Sequence, residues 1–141
     1  MIKNTFNPGN YSQQINIVLL LLRLAAGSFM LTHGIAKLSK LFGDDPIKFA
    51  DPIGVGVTTS LALTVFAEAF CSLFLILGIA TRLASIPLII TMFVIVFIVN
   101  STEEFGDVEL PLLYLVIYIG LAIAGAGKYS LDNMIYKKTA R

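Results

Sequence analysis

The sequence predicts an all-α membrane protein, a bundle of four transmembrane helices with both termini in the cytoplasm. Four apolar stretches of about 17–24 residues follow one another, and each is long enough to cross a hydrocarbon core about 30 Å thick. Hydrophobic residues make up 57% of the chain and charged residues only 13%, whereas about 25% of a soluble domain is charged. Lys and Arg are also distributed unevenly between the connecting segments, as a multi-pass membrane protein requires.

The first half of the chain contains two of these stretches. A polar tail, residues 1–14, precedes the first span, at about residues 15–38. Gly43 is a suitable residue to end this helix, because glycine readily adopts the left-handed conformation of a helix C-terminus. A loop rich in Gly, Pro and Asp covers residues 43–57 and leads to the second span, at about residues 58–79.

The second half of the chain contains the other two apolar stretches. A tight turn separates the second span from the third, at about residues 83–99. Pro87 lies in the first turns of this helix, where proline removes few intrahelical hydrogen bonds. An acidic loop leads to the fourth span, at about residues 110–126. The predicted membrane domain therefore covers residues 15–132, and a basic C-terminal tail, residues 133–141, follows it.

Two rival interpretations are less favoured. A soluble helical bundle would need polar faces on its outer helices, and the third span has none. A cleavable signal peptide would place Arg23 inside its apolar core, and the apolar run continues past the small residues that end at Gly27.

The distribution of Lys and Arg predicts the orientation. Four spans place both termini on one side, and six basic residues share that side while three lie opposite. The six are Lys3, Arg82, Lys128, Lys137, Lys138 and Arg141, and the three are Lys37, Lys40 and Lys48. Because cytoplasmic segments carry the excess of positive charge, both termini are expected in the cytoplasm and the protein in the cell inner membrane.

Composition argues against several functional classes. A net charge of +1 gives no indication of nucleic-acid binding. The single cysteine, Cys71, excludes an intrachain disulfide and a C-x-x-C redox pair, and leaves too few ligands for a cysteine-based iron–sulfur cluster. One histidine excludes a multi-histidine metal site within one chain, so no metal site and no covalent cofactor are expected.

Glu68 is the main candidate for a functional centre. It lies near the middle of the second span, where a charge costs about 2.5–3.5 kcal/mol and usually faces the bundle interior or a water-filled cavity. At 1.5 Å per helical residue, Arg23 in the first span lies about 12 Å from the cytoplasmic surface and Glu68 about 15 Å from the outer surface, so both are near mid-depth. Antiparallel neighbouring helices would allow the two to pair. The pair would then either fix helix packing or form a polar site in the bundle.

Two further polar groups lie near the ends of the spans. His33 and Lys37 share a helix face, being four residues apart, and Glu109 starts the fourth span at a similar depth on the same side. This cluster would bind a headgroup or an anion, or relay protons; ordinary contacts with lipid headgroups are the favoured alternative. On the cytoplasmic side, Arg82 and Asp132 are placed to form an ion pair, which would contribute little if exposed.

The order of these motifs resembles the DoxX family of small bacterial membrane proteins, over residues from about 20 to 132. The family pattern includes Arg-Leu, Gly, a His-Gly-x-x-Lys-Leu group, an Ala-x-x-Glu in the second span, Leu-Gly-x-x-Thr-Arg, an acid at the fourth span and Gly-x-Gly-x-x-Ser-Leu-Asp. In this chain the Ala of the second-span group, Ala67, comes immediately before Glu68. The matching positions are Arg23-Leu24, Gly27, residues 33–38, Glu68, residues 77–82, Glu109 and residues 125–132. The chain departs from the pattern in the third span, where the family often has a His and this sequence has Val99-Asn100.

The resemblance implies a four-span bundle and an association with quinone-linked or redox-stress complexes, since the family takes its name from a subunit of a thiosulfate:quinone oxidoreductase. The favoured hypothesis is an accessory subunit of a redox or sulfur-linked membrane complex, with a pocket in the bundle for a quinone or lipid. A scaffold or assembly factor whose buried charges are structural is the alternative, and a small transporter or proton pathway is the third. A self-sufficient enzyme is less favoured. The expected partners are the lipid bilayer and either membrane redox-complex subunits or further copies of this chain.

Overall fold

A computed structural model describes residues 6–139, and within this range the chain forms five helices and no strand. We name them α1 to α5: α1 is Gln13–Leu41, α2 is Val57–Leu77, α3 is Thr81–Val99, α4 is Phe105–Ala124 and α5 is Leu131–Thr139. The first four are long and apolar enough to cross a membrane, which confirms the four predicted spans. The fourth begins at Phe105, earlier than predicted, and most of the predicted basic tail belongs to α5.

The ends of the helices follow from local hydrogen bonding. The hydroxyl of Ser12 accepts a hydrogen bond from the backbone N–H of Ile15, which caps the start of α1. Gly78 ends α2 with a φ of 69°, a left-handed conformation that only glycine adopts without strain. Both described ends of the chain lie on one side of the bundle, since the N–H of Gly127 donates to the carbonyl of Pro8. We call this the terminal side, and the opposite side, with residues 42–56 and 100–104, the loop side.

The core lies where the four long helices meet. α1 packs mainly on α2, and α3 packs on both α2 and α4. Leu75, Leu88, Tyr118 and Leu121 have no exposed surface at the centre of these contacts. Many other large apolar side chains are exposed on the outward faces of the four helices. This surface is unsuited to water and suited to contact with lipid chains.

Two of the helices contain π-helical turns. Phe66–Cys71 form one in the middle of α2, and Ile95–Val99 form the last turn of α3. A π-helical turn widens the helix by one residue and often marks a functional site. Glu68 lies in the first of these turns.

The loop between α1 and α2 is fastened to the start of α2 through Asp51. Its carboxylate accepts hydrogen bonds from the backbone N–H groups of Val55 and Gly56 and from the hydroxyl of Ser60. The Ser60 hydroxyl contributes most to lowering the pKa of Asp51, and the backbone N–H groups contribute further. The loop is thereby held over the loop-side end of the bundle.

Candidate functional site

Glu68 forms an ion pair with Lys37. The Nζ atom of Lys37 donates to Oε2 of Glu68 at 2.5 Å, and within residues 6–139 this is the only salt bridge. The side chain of Glu68 is 1% exposed and that of Lys37 is 25% exposed. The carboxylate therefore depends almost entirely on this lysine for compensation of its charge.

The backbones of α1 and α2 approach closely beside this pair. Gly34 lies one helical turn before Lys37, and a Cβ atom at this position would meet the backbone of Glu68 and Ala69, with the carbonyl oxygen of Glu68 at 2.6 Å. Only glycine allows the two helices this separation. Gly34 therefore brings α1 against the π-helical turn of α2, and the next turn of α1 presents Lys37 to the acid.

The sequence left open whether Arg23 pairs with Glu68, and the structure shows that it does not. Arg23 is 1% exposed, and its guanidinium donates four hydrogen bonds to backbone carbonyls instead. The acceptors are Leu75 at 2.9 Å, Ile76 at 3.4 Å, Tyr129 at 3.1 Å and, in a shorter contact, Ala126. Leu75 and Ile76 belong to the last turn of α2, where carbonyls have no intrahelical partner. Arg23 thus fastens the end of α2 to the segment between α4 and α5.

The predicted ion pair between Arg82 and Asp132 is wrong. The carboxylate of Asp132 accepts from the backbone N–H groups of Ala80 at 2.6 Å and Thr81 at 3.0 Å, so it caps the start of α3 from a distant part of the chain. Arg82 donates to the carbonyl of Ala124 at 3.3 Å. Both residues lie on the terminal side, as predicted, but each binds backbone atoms.

The larger of two cavities beside the Lys37–Glu68 pair lies between α2 and α3 and has a volume of about 270 Å³. Its walls are mostly aliphatic, and the loop residues Phe49 and Ile53 contribute to them on the loop side. Leu63 and Ile90 also line it, and both are more than half exposed on the outer surface of the bundle. The cavity therefore opens where lipid chains would lie, and the ion pair forms its polar end.

The smaller cavity, of about 130 Å³, lies between α1, α3 and α4. His33, Lys37, Glu68 and Tyr114 supply its polar groups. The structure thus brings His33 and Lys37 together with Glu68, as a single polar group. Glu109 does not join them: it is exposed, and no partner for its side chain lies within the described residues.

The ion pair keeps unused hydrogen-bonding capacity. Lys37 donates one hydrogen bond from an ammonium group that has three donors, and Oε1 of Glu68 accepts none from the part of the chain that the structure describes. Because Glu68 lines both cavities, a molecule in either one meets a donor and an acceptor side by side. This arrangement suits a ligand with a carbonyl or hydroxyl group on an apolar body.

The sequence identified the acid and offered Arg23 as a candidate partner, but it did not identify Lys37. Lys37 lies near the end of the predicted first span, where a lysine normally reaches the lipid headgroups. The helix continues to Leu41, so Lys37 is farther inside than predicted. The spacing of Gly34 and Lys37, one turn apart on the first span, was the signal available for a close contact between the helices.

Within residues 6–139, no group of three His, Cys, Asp or Glu side chains is placed to hold a metal ion.

Comparison with known proteins identifies the family that the sequence matches. The family model of DoxX matches residues 18–101, which is more than half of the chain and includes Arg23, His33, Lys37 and Glu68. Searches of curated proteins and of solved structures give no match.

Proposed function

Because this chain belongs to the DoxX family, we propose that it binds a quinone or a lipid within the membrane and serves as an accessory subunit of a redox or sulfur-linked membrane complex. The observation that carries this proposal is the Lys37–Glu68 ion pair at the wall of an apolar cavity that opens toward lipid. A buried ion pair stabilises a fold no better than apolar side chains of similar size, so stability alone does not account for it. Binding of a polar group of a ligand would account for the presence of this ion pair.

The larger cavity suits the head of an amphiphilic molecule. A single ring or a short length of acyl chain fits about 270 Å³, and the opening beside Leu63 and Ile90 leaves room for a tail to continue into the bilayer. A carbonyl oxygen of the ligand would accept from Nζ of Lys37. A hydroxyl group would donate to Oε1 of Glu68, so a quinone and its reduced form both find a partner.

Electrons for such a ligand would come from another subunit. The chain contains one cysteine and one histidine, too few for a redox centre built from its own side chains. The role proposed for the chain is therefore to hold the ligand and its protons in place, in an inner membrane with both termini in the cytoplasm.

Equilibrium binding of a short-tailed benzoquinone to the purified protein in lipid nanodiscs tests the proposal. Leu63→Trp fills the opening of the larger cavity and should weaken binding at least about tenfold, a loss of ~1.4 kcal/mol. Ile123→Trp is the matched control, because Ile123 is 71% exposed on α4 and lies outside the lining of this cavity. Glu68→Gln should also weaken binding. Equal affinities of the wild-type protein and Leu63→Trp would refute the quinone site. Retained affinity for phospholipid or fatty acid in the same assay would identify a lipid as the ligand.

A non-enzymatic scaffold remains the second candidate, and the terminal side supports it. Arg23 and Asp132 are almost fully buried, and the hydrogen bonds of both go to backbone groups that hold helix ends together. A scaffold with only structural charges predicts no saturable binding of quinone or lipid. It also predicts that Leu63→Trp leaves assembly with partner subunits unchanged.

A further inference from the structure

The Lys37–Glu68 pair separates two cavities of different character. The larger one is bounded by α2, α3 and the loop and opens toward lipid, whereas the smaller one lies between α1, α3 and α4. Three residues line both cavities: Lys37, Glu68 and Ile95. One side of the ion pair therefore faces the larger cavity, and the other side faces the smaller cavity.

The smaller cavity has what a water-filled space requires. Its volume of about 130 Å³ is well above the 10–15 Å³ that one water molecule needs. Five of its nine lining residues are apolar, and the other four, His33, Lys37, Glu68 and Tyr114, carry polar groups. These four provide the two to four hydrogen-bond partners that a water molecule beside Glu68 needs. Leu110 and Pro111 line the cavity within two turns of the loop-side start of α4, and His33 in its wall is exposed on α1. The cavity therefore extends from Glu68 toward the loop side.

We propose that the smaller cavity is a water-filled proton route, through which Glu68 exchanges protons with the aqueous phase by way of His33. This inference rests on the proposed role of the Lys37–Glu68 pair as the polar end of the ligand site. A ligand hydroxyl in the larger cavity transfers its proton to Oε1 of Glu68 and leaves an oxyanion beside the ammonium group of Lys37. The neutral carboxyl group then passes the proton through water to the imidazole of His33, which releases it to solvent, and the carboxylate is restored.

The groups that face Glu68 from each neighbouring helix are consistent with this route. α1 supplies Lys37 and His33, and α4 supplies Tyr114, which stacks on Tyr118 with ring centres 5.8 Å apart. The hydroxyl of Tyr118 donates to a backbone carbonyl of α1. The residues that α3 presents to the two cavities include no titratable group. Imidazole is the side chain best suited to exchange protons near neutral pH, and His33 is the only one in the chain.

Two neighbouring residues of α3 allow a matched test of water access. Thr91 lines the larger cavity and Met92 lines the smaller one, although they differ in depth by only about 1.5 Å. Single cysteines are placed at each position in a chain that also carries Cys71→Ala, and each is treated with a charged methanethiosulfonate. The cysteine thiolate attacks the methanethiosulfonate and displaces sulfinate, and ionisation of the thiol requires water, so Met92→Cys should react at least about tenfold faster than Thr91→Cys.

A lipid-soluble maleimide supplies the control, since it should label both cysteines in the folded protein. Equal rates at the two positions with the charged reagent, or no reaction of Met92→Cys with it, would overturn the proposal. No ligand is present in this experiment. A protein that fails to bind quinone but shows the expected difference would contradict the proposed function and leave the wet cavity standing.

The role of His33 is tested by infrared spectroscopy after a drop in pH. Proton uptake by Glu68 appears as a carboxylic-acid band, which Glu68→Gln should abolish and thereby assign. In His33→Gln the rate of uptake should fall about tenfold or more, in line with the loss of a proton-transfer group. Free imidazole added to the buffer should restore the rate, which it would not do if His33 were only structural. An unchanged rate in His33→Gln would overturn the route through this residue.

Discussion

Replacing either member of the Lys37–Glu68 pair should destabilise the protein, but to unequal extents. With a separation of 2.5 Å between Nζ and Oε2, Coulomb's law at an effective dielectric constant of about 20 gives an attraction of roughly 5–7 kcal/mol. Removing both charges from water costs several kcal/mol per ion, so the net contribution of the pair is small. The cost of removing one partner is nevertheless large, because the other charge is then left buried alone.

The exposure of the two side chains determines which change costs more. Lys37→Met leaves the carboxylate of Glu68 at 1% exposure without compensation, and we expect a loss of about 3–5 kcal/mol in the free energy of unfolding. Glu68→Gln leaves the ammonium of Lys37, which is 25% exposed and has a flexible chain that reaches toward the surface. This change should cost about 1–2 kcal/mol. The double substitution should be less destabilising than Lys37→Met alone.

Equilibrium unfolding in mixed micelles of a mild detergent and dodecyl sulfate measures these differences, with helix content followed by circular dichroism. The four proteins form a double-mutant cycle, and the coupling energy between the two positions should exceed about 2 kcal/mol. Additive losses would show that the two charges do not compensate each other. A Glu68→Gln variant less stable than Lys37→Met would show that the deeper burial of the acid does not determine the cost.

Three further predictions concern the packing and the two ends of the bundle. Gly34→Ala should destabilise the protein by about 2 kcal/mol or more, because the added methyl group meets the backbone of α2, while Gly120→Ala, with open space around it, should change stability by less than about 0.5 kcal/mol in the same unfolding assay. Asp132→Ala should cost about 2 kcal/mol or more, since two backbone N–H groups at the start of α3 lose their acceptor, and hydrogen exchange at those two groups should accelerate. Asp51 has a lowered pKa in the folded protein, mainly through the hydroxyl of Ser60. Its contribution is therefore present above the unfolded-state pKa of about 3.9 and is lost as the pH falls through the lower folded-state value. Protease resistance of the loop should decline only in that acidic range, and Asp51→Asn should remove this pH dependence.

The fold was predictable from the sequence because the membrane imposes strong constraints on it. Only helices satisfy all backbone hydrogen bonds within a hydrocarbon core, so four apolar stretches of sufficient length give four helices. The helix boundaries were less predictable, because they depend on capping contacts such as that of Asp132 with the start of α3. α5 was missed for a related reason. Its nine residues are too few to form a stable helix by themselves, and it depends on contacts with the rest of the chain such as those of Asp132.

The candidate site was predictable in part. The cost of a charge at mid-membrane depth identified Glu68 and Arg23 as important, since neither is found there without a partner. Depth alone did not reveal which partner each has. Arg23 reaches the backbone carbonyls at the end of α2 because its long side chain extends toward the terminal side. Lys37 reaches Glu68 because Gly34 allows close approach and the π-helical turn places the acid beside it. Gly34 was a sign of a close helix contact, but it did not show which helix approaches, and the π-helical turn leaves no periodic pattern in the sequence.

Photolabelling with an azido-benzoquinone tests whether the larger cavity binds a quinone, because it reports where the ligand lies. The protein is labelled in nanodiscs and its peptides are identified by mass spectrometry. We predict label on α2 and α3 at the residues around the larger cavity, such as Leu63 and Ile90, with a loss of label in Leu63→Trp and no loss in Ile123→Trp. Label distributed evenly over the outward faces of the four helices, and unaffected by Leu63→Trp, would contradict the account.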